Sequence, residues 1–560
     1  MSYDLREFHA PRLSGAPLRA FVLALERAPW LVSGRLMRDA GIERFRRATL
    51  SDPPSVRPEL PRITAEDPAA SDPAAVLAAA AALPAASAPG FSFEDTAAYE
   101  AAYREGRLTP VEVAERLLAA LGESEANAPP LRLIVAQDPA DLRAQAEASA
   151  ARHARGAPLS PLDGVPVAIK DELDQRGYRT RVGTAFISRD AREDASVVAR
   201  LRAAGALLYG KANMHEIGIG NTGLNPHHGT ARNPYGLGHH TGGSSSGSAA
   251  CVAAGLGPLA VGADGGGSIR TPAALCGLVG LKATFGRISE HGAFPLCWSV
   301  AHVGPIGATV RDVALGYALL AGVDPLDPQT RGQPAPTLAG AERGDLQGVR
   351  VGVYRPWFED ATPEVVAACR AALALLEAAG AEVIEVELPD LELARVAHAI
   401  TIASEMASSM DTIGARPQDH ALDVRVPLAL ARLLSSRDYV QAQRARTRFA
   451  RACERVYEQV DLVATPSAGS AAPPIPSGAA LRTGQTDLAT TVALMRFVFP
   501  ANLNGYPALT VPAGYDAAGL PLGLHLMGRP WEEALLLRAG AAVERAVERR
   551  APAWHRRLLS

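Results

Sequence analysis

Apolar residues recur along the chain in two rhythms. Short, nearly continuous runs at 165–169, 207–209, 259–261, 349–354, 383–386, 462–464 and 509–511 read as buried strands, because a strand covered on both faces has no polar side to alternate. Segments such as 196–204 and 363–379 repeat their apolar residues at helical spacing and fall between those runs. The alternation predicts an α/β fold around a large, mostly buried sheet covered by helices. No internal repeat, heptad seam or long charge run interrupts it.

The first ninety residues follow another pattern. Leu18, Phe21, Val22 and Leu25, a break at Pro29, then Leu31, Leu36, Met37 and Phe45 predict two short helices, an appendage over residues 1–50. Its apolar stripes call for packing on the main body or on a second subunit. Trp30 beside Arg27 and Arg35 leaves contact with a membrane surface as the alternative. Residues 51–90 carry Pro53, Pro54, Pro58, Pro61, Pro68, Pro73, Pro84 and Pro89 around an alanine-rich patch at 76–83, as expected of a connector with one short helix. Thr109-Pro110-Val111-Glu112 supplies an N-cap, a proline at the first helical position and a glutamate three residues after the cap. A helix through 113–121 therefore opens the main body, residues 91–560.

Composition narrows the class. Apolar residues are 48% and charged residues 21% of 560, with a net charge of −3, so no basic face exists for nucleic acid. Five scattered cysteines, Cys251, Cys276, Cys297, Cys369 and Cys453, lack metal or disulfide spacing and suit reduced thiols in a cytoplasmic protein. The first ten residues lack the character of a signal peptide. Arg19, Glu26 and Arg27 interrupt the greasiest N-terminal stretch, leaving it too short an apolar run for a membrane span.

Chemistry concentrates in three strings. Glycines 265, 266 and 267 followed by Ser268 suit a backbone that turns its N–H groups toward an anionic oxygen next to a nucleophile. A flexible loop or a phosphate-binding turn is the alternative for that string taken alone. A serine needs a base, and a lysine serves when burial and neighbouring donors hold it neutral. Lys170 ends the run Val165-Pro166-Val167-Ala168-Ile169, where an ammonium would be unusually buried. A snorkelling surface lysine is the plain reading of such a position.

Strand-Lys170-Asp171, Gly242-Gly243-Ser244-Ser245-Ser246-Gly247 and Asp264-Gly265-Gly266-Gly267-Ser268-Ile269-Arg270 resemble the amidase-signature hydrolases in order and spacing. The resemblance implies one large domain on a mixed central sheet, and a Ser-Ser-Lys triad. Ser268 would attack the amide carbonyl, Ser244 on a cis peptide with Gly243 would relay the proton, and Lys170 would accept and return it. The N–H groups of Gly265, Gly266, Gly267 and Ser268 would hold the oxyanion, with Ser245, Asp264 and Arg270 in support. Ala263 and Gly265 depart from the frequent family pattern, which has threonine at those places.

Further strings, Ala10-Pro11-Arg12-Leu13-Ser14-Gly15, Lys211-Ala212-Asn213-Met214-His215-Glu216, Arg232-Asn233-Pro234-Tyr235, Met495-Arg496-Phe497 and Leu526-Met527-Gly528-Arg529-Pro530-Trp531, resemble the plant-type fatty acid amide hydrolases. That resemblance implies long-chain N-acylethanolamines or related N-acyl amides as substrates, a homodimer, peripheral contact with membranes, and no metal or organic cofactor. Acyl-chain choice follows less securely than mechanism, because pocket residues vary independently of a triad.

Competing motifs remain. Gly243 to Gly247 also fits the GxSxG elbow, which would make Ser245 the nucleophile, but it requires a strand leading in and a later acid and histidine. Gly218 to Gly223 fits GxGxxG without a buried strand before it, and reads as a loop. His227-His228 and His239-His240 lack the spacing of a metal site and read as loop residues near the entrance. The same triad would also serve the amide-hydrolysing component of an amidotransferase, an amidase for short or aryl amides, or survive in a non-catalytic binding protein.

Overall fold

A computed structural model of the chain describes residues 3–6, 11–61, 72–84 and 88–560. Ala10 of the first motif and Pro68 of the connector lie outside the described residues. The central sheet has eleven strands: β1 (Ile134–Ala136), β2 (Pro166–Lys170), β3 (Leu207–Ala212), β4 (Leu259–Ala263), β5 (Val279–Lys282), β6 (Val303–Gly307), β7 (Arg350–Val353), β8 (Glu382–Glu385), β9 (Leu462–Pro466), β10 (Ala508–Tyr515) and β11 (Pro521–Gly528). Their order is β8-β7-β9-β11-β10-β5-β6-β4-β2-β3-β1. Pairing is parallel within β8-β7-β9 and β4-β2-β3 and antiparallel at the other junctions. The sheet is therefore mixed, with its core strands buried on both faces.

All seven apolar runs are strands of this sheet. The run pattern misses β1, β5, β6 and β11, whose sequences are short or broken by glycine and proline. The expected helices occur at Ser196–Ala203 and Pro363–Ala378. Helix Pro110–Ala126 opens with the predicted capping box: the Glu112 N–H donates to Thr109 Oγ1 at 3.2 Å and the Thr109 N–H to Glu112 Oε2 at 2.8 Å.

The appendage corrects one expectation. It has three helices, Gly15–Arg27, Ser33–Asp39 and Ile42–Arg46, with a short turn at Pro29–Leu31. Gly41, at φ 82°, stops the second helix and caps the third, a conformation that favours glycine. Leu18, Val22 and Leu25 pack on Leu422, Val426 and Ala429 of helix Leu422–Ala431. Glu26 accepts both arms of Arg425 at 2.9 and 2.6 Å, and Leu13–Ser14 pairs antiparallel with Gln485–Thr486. In the connector, helix Pro73–Ala81 sends Val76 and Ala80 into the main core. No helix among the described residues is long and apolar enough to cross a membrane.

Candidate active site

β2 runs between β4 and β3 and delivers Lys170 into the interior from its end. Only 1% of the Lys170 surface is exposed. Its Nζ has three acceptors: Ser244 Oγ at 2.9 Å, the Ala263 carbonyl at 3.2 Å and Glu172 Oε2 at 2.8 Å. An ammonium has three hydrogens, so each finds a partner. Glu172 was not marked by the sequence patterns, although it lies two residues beyond Lys170.

Ser244 sits where the chain turns into helix Ser246–Ala253, and the Gly243–Ser244 peptide is cis. The Gly243 N–H donates to Asn221 O at 2.8 Å, and Ser244 O accepts from the His215 N–H at 3.1 Å. Ser245 is fully buried, and its hydroxyl donates to Ala263 O at 3.2 Å while accepting the Ala263 N–H at 3.3 Å. Its N–H reaches Ser268 O at 3.3 Å. A hydroxyl clamped this way between strand atoms has no path to a substrate, which disfavours Ser245 as nucleophile. The segment before it, Gly236–His240, is a strand after all, but of a small hairpin with Arg232–Asn233 and not of the central sheet.

The glycine loop follows β4. Asp264 accepts the N–H groups of Gly267 at 2.6 Å and Ile269 at 3.0 Å, and both arms of Arg270 at 3.0 Å. Asn502 Nδ2 donates to Asp264 Oδ1 at 2.9 Å and to its carbonyl at 2.8 Å. Burial opposes ionisation of Asp264, yet the Arg270 guanidinium, Asn502 and the Gly267 N–H outweigh it and hold the carboxyl far below its usual range. One expectation changes here. Gly267 spends its N–H on Asp264, whereas the N–H groups of Gly265, Gly266 and Ser268 have no protein acceptor among the described residues.

Ser268 is partly exposed and, with Gly266, lines a cavity of about 260 Å³. Ile219, Ile402, Leu430 and Met495 give its walls an apolar character, and the appendage adds Leu36, Ala40 and Ile42. Of the segment 218–223, Gly218 ends a short helical turn, Glu216–Gly218, and the rest is a loop, with residues 218–221 lining the cavity.

The histidine pairs lie elsewhere than expected. None of the four lines this cavity. His227 Nε2 and His420 Nδ1 flank Glu216 at 2.9 and 2.7 Å. Burial of Glu216 is outweighed by those two partners, which bring its carboxyl down to about 2. His228 bonds Thr184 O at 2.9 Å, and His239 and His240 belong to the hairpin strand.

The class of enzyme that this fold and cavity define is an amide hydrolase. The chain belongs to the amidase family, whose model matches residues 115–537. A fatty acid amide hydrolase of Medicago truncatula is 44% identical over 80% of this chain and 75% of its own length. One from Oryza sativa subsp. japonica is 39% identical over 97% of this chain and 94% of its own. A component of the glutamyl-tRNA(Gln) amidotransferase of Roseiflexus sp. is 38% identical over 82% of this chain and 96% of its own. Among solved structures, a chain of a vestigial protein complex related to the origins of an s-triazine catabolic enzyme superposes with a TM-score of 0.74 at 34% identity, covering 80% of this chain and 98% of that one.

Proposed function

We propose that the protein hydrolyses linear amides bearing a long apolar acyl group, such as N-acylethanolamines, through an acyl-enzyme on Ser268. The observation that carries this reading is the largely apolar cavity that Gly266 and Ser268 help to line. Ser268 Oγ attacks the carbonyl carbon as its proton passes to Ser244 Oγ, whose own proton passes to Lys170 Nζ. Accepting it requires Lys170 in its amine form, with the Nζ lone pair toward Ser244 Oγ. The oxyanion accepts the N–H groups of Gly265, Gly266 and Ser268. Collapse breaks the carbon–nitrogen bond, and the amine leaves with the proton returned through Ser244. Water then cleaves the ester by the same relay.

The corresponding component of an amidotransferase would present the same relay to glutamine. The apolar walls favour the acyl amide instead, as does the match of the rice relative to a larger share of the chain, appendage included. We also infer a cytoplasmic enzyme in peripheral contact with membranes: Trp30 and Leu31 are 76% and 71% exposed at the turn of the appendage, beside Arg27 and Arg35. The homodimer implied by the family resemblance offers that face a second copy instead.

Steady-state assays of the purified protein on N-acylethanolamines of increasing length test the substrate reading. Each added methylene should contribute about 0.8 kcal/mol, roughly a fourfold rise in kcat/KM, until the cavity is full. Ser268→Ala should lower turnover to background. A flat series, or faster hydrolysis of glutamine, would overturn the acyl-amide reading, and a fluorophosphonate adduct on Ser245 would overturn the choice of nucleophile.

A further inference from the structure

Every peptide unit of the glycine loop is anchored on at least one side. The Asp264 carbonyl is held by Asn502 at 2.8 Å, the Gly267 N–H by Asp264 at 2.6 Å, the Gly267 carbonyl by the Thr271 N–H at 2.7 Å, and the Ser268 carbonyl by the Ser245 N–H at 3.3 Å. The remaining unit joins Gly265 to Gly266. Its anchor comes from outside the motif: His398, on helix Leu391–Thr412, places Nε2 at 2.8 Å from the Gly265 carbonyl.

A carbonyl only accepts, so the imidazole must be the tautomer with hydrogen on Nε2. A trans peptide is planar and points its C=O and N–H in opposite directions, so holding the Gly265 carbonyl fixes the direction of the Gly266 N–H. The ring also lies against the loop, since a Cβ on Gly266 would come within 2.8 Å of His398 Cε1. Burial pushes the imidazole down to about 4, partly offset by its bond to Gly265, so it donates as a neutral ring over the neutral pH range.

We propose that His398 is a positioning residue for the oxyanion hole, aiming the Gly266 N–H by donating from Nε2 to the Gly265 carbonyl. The proposal rests on the reading that Ser268 is the nucleophile and goes beyond it by assigning the aim of one donor to a side chain 133 residues away.

The test combines His398→Leu and His398→Met, which remove the donor, with His398→Gln, whose amide restores one. Losing an oxyanion donor outright costs ~10² to 10³ in rate. A misaimed donor should cost about 10- to 100-fold in kcat with KM within about twofold, and a trifluoromethyl ketone inhibitor should weaken in parallel with kcat/KM. His398→Gln should recover most of both. If the donor-free variants keep kcat and inhibitor affinity while Ser268→Ala is inactive, the role of His398 fails and the nucleophile reading stands. If Ser268→Ala still hydrolyses amides, the nucleophile reading fails first. A check without substitution uses imidazole nitrogen NMR of the wild-type enzyme: His398 must be neutral with hydrogen on Nε2 between about pH 6 and 8, and hydrogen on Nδ1 would overturn the proposal even if the variants do not fold.

Discussion

Asp264 shows how much of the site depends on one buried charge. Its carboxylate and the Arg270 guanidinium are both fully buried and meet along two bonds. Removing one member of such a pair leaves the other uncompensated, at a cost of about 3 to 5 kcal/mol. Asp264→Asn should therefore lower stability by that order in chemical denaturation and slow turnover sharply. Adding Arg270→Met should recover part of the stability without recovering activity, because the amide that replaces the carboxylate has one acceptor oxygen for the two N–H groups, of Gly267 and Ile269, that the carboxylate holds. Equal stability of the two variants would contradict this account. Lys170, Ser244 and Ser268 were marked in the sequence by the order and spacing of their three strings, since each string taken alone has a plainer use. Glu172 stood in plain sight but a carboxylate next to a lysine has many explanations. His398 had no signal at all, since its link to the loop is made by the packing of a distant helix. The string of three glycines could not reveal that Gly267 turns its N–H inward to Asp264.

At the level of elements, the runs that read as strands were mostly apolar, although 165–169 and 349–354 hold Pro166 and Gly352. β5, β6 and β11 escaped because glycine and proline, ordinarily turn formers, lie inside them. The structure supplies the reason: a Cβ at Gly280 or Gly523 would sit 2.8 Å from Ala273 or Ala274. Those glycines let helix Arg270–Leu275, which begins two residues after Ser268, lie close on the sheet. Local pattern cannot report such an approach, which depends on a neighbour being there. The appendage was readable as helical, but its third helix was not, since Gly41 could equally have ended the segment. Its exposed turn carries a prediction of its own. The pair Trp30→Ser and Leu31→Ser should reduce cosedimentation with anionic vesicles severalfold while leaving hydrolysis of a soluble short-chain amide unchanged. Unaltered vesicle binding together with a lowered oligomeric mass would instead assign this face to a second copy.

Across the whole molecule, pH acts on the seam between appendage and body. Asp423, on the helix that receives the appendage, has a buried Oδ1 without a hydrogen-bond partner among the described residues. Burial first, then the nearby charge of Glu216, raises its carboxyl to about 8. Its neighbour His215, pushed down to about 4 by burial, provides no cation. The native state keeps the Asp423 proton that the unfolded chain gives up near the ordinary carboxylate pKa of ~3.9. The stability it supports is therefore complete below that value and declines as pH rises toward about 8. Asp423→Asn removes the decline, so its advantage over wild type should widen by about 1 kcal/mol per pH unit between pH 5 and 8. A difference independent of pH would show that Asp423 does not titrate in this window.

The shared wall of the cavity has a consequence for how the enzyme is made. Leu36, Ala40 and Ile42 leave the ribosome early, but the helix that seats their appendage, including Arg425, is 399 residues behind Glu26. At ~5 to 20 residues per second, these side chains wait roughly 20 to 80 seconds for a place to dock. During that interval the appendage must tolerate water or a chaperone on the face that later lines the cavity, and the cavity wall is completed only when an early segment of the nascent polypeptide closes on a later one.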